Sequence, residues 1–150
     1  MQRLVPVVVM FVLVAGGCQR IKTKLGIGET ITNPEPGSPE KVIQDVLRAA
    51  KVVDEEEGWQ QFSALLHSDE TELPSSLNAW REFKYRAIRK KADYLLLDKV
   101  AFTYKVMDRR DDGKSLRIFV ANSASDTPTP CILRQDPAQG NAWRVWSSCF

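Results

Sequence analysis

The chain predicts an α+β domain: three N-terminal helices packed on one face of a curved antiparallel sheet of about four strands. Two observations predict it. Apolar residues recur every three to four positions from Val42 to Ile88, then every second position from Val100 to Val120. The two periods occupy separate parts of the sequence, the pattern of segregated helices and strands rather than of alternating βαβ units.

The first 17 residues stand apart from this domain. A short start containing Arg3 leads into the apolar run Leu4 to Val14 and then Ala15-Gly16-Gly17, with no charge over residues 4–17. This is the layout of a secretory signal, with a cysteine at the first position after the cleavage region. About 14 apolar residues are too few for a transmembrane anchor, which needs roughly 20 to cross a hydrocarbon core of about 30 Å. The run Val14-Ala15-Gly16-Gly17-Cys18 resembles the lipobox of bacterial lipoproteins. That resemblance implies cleavage before Cys18, diacylglycerol on its thiol, and an anchor in the cell envelope. Gln19, where an aspartate would retain such a protein in the inner membrane, implies the outer membrane, with the domain facing the periplasm.

Gly26, Gly28, Asn33, Pro34, Pro36 and Gly37 then punctuate a stretch without apolar periodicity. Residues 18–38 therefore read as the lipidated cysteine and a flexible tether, about 25 Å in reach. Residues 39–150 are left as one domain, long enough to bury a core.

Ser38-Pro39-Glu40 opens the first helix with a cap, a proline at the first position and a carboxylate in the first turn. Val42, Ile43, Val46, Leu47, Ala50 and Val53 form its inner face. Gly58 interrupts the pattern, and Asp54 caps the second helix. Trp59, Phe62, Leu65 and Leu66 carry a second apolar face to His67. Leu73-Pro74-Ser75-Ser76 marks a break and a new cap, and the third helix turns Leu77, Trp80, Phe83, Ala87 and Ile88 inward.

In the strands, Val100, Phe102, Tyr104 and Val106 alternate with Ala101, Thr103 and Lys105. Asp111-Asp112-Gly113 is a turn, and Leu116, Ile118 and Val120 alternate after it. A three-residue loop with Gly113 left-handed pairs Tyr104 with Val120 and Val106 with Ile118. It unites the two apolar faces, which a two-residue loop does not. Pro128 and Pro130 separate this hairpin from a second one around Asp136-Pro137-Ala138-Gln139-Gly140-Asn141. A pairing there that sets Cys131 opposite Cys149 also sets Leu133 opposite Ser147 and Gln135 opposite Val145. With Cys18 assigned to lipid, the remaining even pair in an exported chain predicts a Cys131–Cys149 disulfide.

This order of elements resembles the nuclear transport factor 2-like superfamily, cone-shaped domains of cystatin-like topology. The matching features are the interrupted helix pair ending Phe62-Ser63-Ala64-Leu65-Leu66-His67-Ser68-Asp69 and a closing strand around Trp143-Arg144-Val145. Another helix-on-sheet lipoprotein domain is the alternative. The superfamily includes isomerase- and cyclase-like enzymes, which implies a carboxylate or histidine base in an apolar cone with an oxyanion donor. Asp98 would share a strand face with Tyr104, and His67 is the single histidine, at a helix end. Neither has an orienting partner visible in the sequence. No phosphate loop, Ser/His/Asp set, cofactor motif or metal-ligand spacing is present. A non-enzymatic binding domain is therefore the leading reading, and an enzyme with Asp98 or His67 as base is the alternative.

The net charge is +2, or +1 without residues 1–17. Near neutrality and an exported address argue against nucleic acid. Charge is nevertheless segregated. Residues 54–57 and 69–72 are acidic, whereas residues 81–91 are basic. Arg81, Arg86, Arg89 and Lys90 make the outer side of the third helix a candidate face for an acidic protein, an anionic lipid or a cell-wall polymer. Lys84 and Lys91 fall nearer its apolar stripe.

Overall fold

The computed structural model describes residues 28–150, so the signal segment, Cys18 and the start of the tether lie outside the described residues. Helix α1 (Pro39–Lys51) begins as the sequence predicts, with the Ser38 side chain accepting from the Lys41 amide. It buries Val42, Ile43, Val46, Leu47 and Ala50. Val53 is 95 % exposed, against expectation, because the helix stops two residues earlier. The chain must leave the helix there so that Asp54 can cap α2 (Glu55–Ser63) through the Glu57 amide. Gly58 is no breaker. It lies inside α2, where a side chain would strike the Ala49 carbonyl at 2.7 Å and the Tyr85 hydroxyl.

After α2, Leu66 sits in an extended segment that bridges Val145, and α3 (Ser68–Thr71) is one turn capped by His67. The third predicted helix is a continuous rod in three parts. They are α4 (Pro74–Ala79), a π-helical turn (Trp80–Lys84) and α5 (Tyr85–Leu95). The Tyr85 amide bonds the Trp80 carbonyl five residues back. One extra residue in the turn shifts the phase of everything after it. Tyr85, Ile88, Ala92 and Leu95 therefore face inward, and Phe83, expected inside, is 73 % exposed. Trp59, Phe62, Trp80 and Tyr85 form one aromatic cluster with centroids 5.0–5.9 Å apart.

The sheet has six strands rather than about four: β1 (Glu29–Ile31), β2 (Leu96–Asp98), β3 (Thr103–Asp111), β4 (Leu116–Asn122), β5 (Ser125–Asp136) and β6 (Ala142–Cys149). Their order is β1-β3-β4-β5-β6, with β2 also pairing β3. All pairs are antiparallel. The stretch from Glu29 belongs to the folded domain and not to the tether, because β1 pairs with residues 104–106 of β3. Val100 and Phe102 are not in a strand. They form a turn between β2 and β3 in which Val100 is 90 % exposed and Phe102 has φ +53°.

Both hairpin registers differ from expectation for one reason, extra residues. The β3–β4 loop runs over 112–115, where the Asp112 carboxylate accepts from the Lys114 and Ser115 amides and Gly113 takes φ +81°. A bulge at Met107 then brings Val106 opposite Val120, whereas Ile118 faces Arg109. In the second hairpin Cys131 does oppose Cys149. A bulge in β6, with Ser147 at φ +61°, sets Leu133 opposite Val145 and Gln135 opposite Trp143. Pro128 and Pro130 do not divide the hairpins but lie within β5, near the end that β6 does not cover. A missing N–H is tolerated on such an edge.

The inner sheet face carries Tyr104, Val106, Ile118, Leu133 and Val145, all buried against the helices. Cys131 and Cys149 are bonded directly between β5 and β6.

Candidate functional site

The predicted basic face of the third helix is built into the fold by its own acidic neighbours. Arg81 pairs with Glu56, and Arg86 with Glu55 at 2.9 Å and Glu82 at 3.2 Å. Arg89 donates to the Val52 carbonyl at 2.7 Å and lies near that of Val53, the orphan end of α1. Of the four candidates only Lys90 lacks a partner among the described residues. Lys84 and Lys91 reach past the apolar stripe to the Ser147 and Phe150 carbonyls. A cleft of 230 Å³ lies along the seam of ion pairs and is floored by Trp59 and Tyr85.

His67 is 3 % exposed and caps the start of α3, where the sequence placed it at the end of the second helix. Its Nδ1 accepts from the Asp69 amide at 3.1 Å, so Nε2 carries the proton and faces the Gln135 carbonyl at 3.3 Å. Both ring nitrogens are thereby committed to the backbone. Asp98 caps the turn after β2, and the Ala101 and Val100 amides hold its carboxyl below its ordinary 3.8. Tyr104 is fully buried and donates to the Glu40 carbonyl at 2.7 Å, and burial pushes its hydroxyl far above the ordinary 10.0. Asp98, His67 and Tyr104 are thus each engaged with backbone groups, and none of them lines the cleft beside the ion pairs. Among the described residues no group of three or more His, Cys, Asp or Glu side chains has metal-binding geometry, and no helix is long and apolar enough to cross a membrane.

Two polar clusters were not anticipated. The larger cleft, 470 Å³, lies between β1, residues 32–35 and the start of α1. Arg109 crosses it, bonding Glu40 and Glu29 at 2.8 Å each, and burial that would favour its neutral form is outweighed by these two carboxylates. The second cluster surrounds Glu70. Ser76 Oγ, Trp80 Nε1 and the Ser147 amide donate to its carboxylate at 2.8, 2.6 and 3.0 Å. Burial pushes Glu70 up, but these bonds and the Lys84 charge hold it below its ordinary 4.5. The Lys84 ammonium lies 4.2 Å over the Trp80 ring. The left-handed Ser147 backbone is thus held from both sides, its N–H by Glu70 and its carbonyl by Lys84. This cluster clamps α3, α4 and β6 together. All of the carboxylate's donors are internal, so its chemistry is structural.

The open face of the sheet carries four arginines. Arg110 stands opposite Arg117 across β3 and β4, and Arg134 opposite Arg144 across β5 and β6. Phe119, Ile132 and Trp146 lie among them, half-buried. Alternation with the inner residues was the available signal for this face. Joining the strands into one row required a register that the bulges conceal. No protein-family model, curated protein or solved structure matches this chain.

The Glu70 cluster predicts an acid response. Glu70, Asp98, Asp112 and Asp136 are all held below their ordinary values. The stability they contribute is present above those values and is lost as pH falls through the lower folded ones. The melting temperature is expected to fall from about pH 4.5 downward. Glu70→Gln, which turns an acceptor toward donors it cannot all satisfy, should cost about 1–3 kcal/mol at pH 7 and flatten that fall. Equal melting temperatures for variant and wild type at pH 7 would refute the clamp.

Proposed function

We propose that this protein is an envelope lipoprotein, anchored through lipid on Cys18, whose domain works by binding rather than by catalysis. The observation that carries the proposal is the uncharged run ending in Val14-Ala15-Gly16-Gly17-Cys18. The outer membrane, facing the periplasm, is the proposed location, supported by Gln19. We assign the domain to the cone-shaped, nuclear transport factor 2-like class. Support comes from its helices preceding most of its strands and from its antiparallel sheet with apolar residues turned toward the helices. Binding is favoured over an isomerase-like reaction because His67 and Asp98 spend their polar atoms on backbone groups.

Metabolic labelling with a fatty acid tests the anchor. The wild type should carry label and sediment with membranes, and Cys18→Ala should lose both properties. An unlabelled wild type found in the soluble periplasmic fraction would overturn the assignment.

A further inference from the structure

We propose that the open face of the sheet binds an extended acidic polysaccharide along a row of four arginines. The proposal rests on the reading of this domain as a binding module and names its ligand class. Directly opposed residues in an antiparallel pair share a face. Arg110 and Arg117 are so opposed, as are Arg134 and Arg144. Ile132 joins the two pairs, because it stands opposite Arg117 and lies two residues from Arg134 on the same strand. The arginines thus form one diagonal row over β3, β4, β5 and β6. With about 5 Å between opposed positions and about 7–8 Å on the diagonal, the row is roughly 15–20 Å long.

The row is unfavourable for the protein alone. Like charges directly opposite each other destabilise a sheet, and here that happens twice on one face. Nearby acids offset it only in part. Asp108 pairs with Arg110 at 3.0 Å and Asp69 with Arg134 at 3.2 Å. Arg144 donates to the neutral Gln139 side chain at 2.7 Å and to the Trp143 carbonyl at 2.9 Å, and Arg117 is exposed, its charge acting on the Asp112 carboxylate of the hairpin loop. A repeated, only partly compensated charge pattern is complementary to a ligand that brings repeated negative charge.

The geometry selects the ligand further. The Arg110 guanidinium lies 4.7 Å over Phe119, and that of Arg134 lies 5.3 Å over Trp146. One N–H group of each bonds a carboxylate, Arg110 Nε to Asp108 and Arg134 Nη1 to Asp69, and the other N–H groups of these ring-seated guanidiniums are left to meet carboxylate or phosphate oxygens. They lie along the sheet instead of projecting toward a lipid surface. Phe119, Ile132 and Trp146 offer a narrow half-buried strip between the charges, too small for the apolar centre of a protein interface but suited to the face of a sugar ring. A linear acidic glycan meets both features.

The test uses the full chain in detergent with polygalacturonate, which carries one carboxylate per sugar, and neutral dextran as the control. The wild type should bind polygalacturonate and not dextran, with binding that weakens as salt rises. Arg117→Glu with Arg144→Glu should reduce that binding roughly ten-fold or more at low salt. The same variant should melt at or above the wild-type temperature, because each new glutamate stands opposite an arginine. Reversal of Arg81 and Arg86 on the helix should leave binding unchanged. Absence of salt-sensitive binding to polygalacturonate would overturn the proposal. So would equal losses in the two reversal variants. Because binding is read in detergent, it is separate from fatty-acid labelling of Cys18, and either result can fail without the other.

Discussion

Replacing both Cys131 and Cys149 by alanine is expected to lower stability by about 3 kcal/mol and the melting temperature by roughly 10 °C. The two cysteines are 18 residues apart, a loop whose closure removes about that much free energy from the unfolded ensemble. Both are buried, so lost packing adds to the effect. Intact-mass measurement after alkylation without reduction should find neither thiol modified in the wild type. An unchanged denaturant midpoint in the double variant would show that the bond contributes nothing. The effect is large because the bond closes a hairpin whose register is broken by the β6 bulge between Val145 and Cys149. Ladder pairing alone holds that end of the strand less firmly.

Gly58→Ala should destabilise by about 2–3 kcal/mol, and here the sign is the test. Were Gly58 only a weak point in α2, alanine would stabilise the helix by up to about 1 kcal/mol. The structure requires the reverse. An added methyl would meet the Ala49 carbonyl at 2.7 Å and the hydroxyl of Tyr85, which donates to that same carbonyl at 2.9 Å. Overpacking of this kind costs about 1–3 kcal/mol, and loss of the hydrogen bond adds about 1 kcal/mol. Tyr85→Phe in the alanine background removes one of the two obstacles and should recover part of the loss. Urea denaturation of the three variants measures all of these terms. A more stable Gly58→Ala protein would mean that α1 and α2 do not approach as closely as described.

Local features were legible in the sequence. Ser38 and Asp54 cap the helices that the apolar periods predict, and Cys131 meets Cys149 because the turn between them is fixed by Asp136, Pro137 and Gly140. Hidden from it was every place where a residue is inserted into a regular element. The π turn at Trp80–Lys84, the bulge at Met107 and the bulge at Ser147 each break the count on which periodicity depends. The expected inward Phe83, the Tyr104–Val120 pair and the Leu133–Ser147 pair were displaced by these insertions. The basic helix misled for a different reason. Its partners Glu55 and Glu56 are 25 or more residues away in sequence, and only the packing of α2 against the long rod brings them into contact. Cations on the open sheet face read as ordinary polar residues in alternating strands. Their alignment into one row depends on the registers of all four strands at once.

The π turn also bears on how the length of this chain can change. Between Trp80 and Tyr85 the rod holds one residue more than an unbroken α-helix needs to keep both aromatic rings inward. A relative with one residue fewer here could wind a plain helix through the same span and keep Trp80, Tyr85, Ile88 and Leu95 in the same core. The segment is therefore a site where a single codon could be lost without re-registering the domain, although it lies inside a helix, where deletions are ordinarily the most damaging. Such a relative would give up Lys84 at its present angle, and with it the hold on the Ser147 carbonyl.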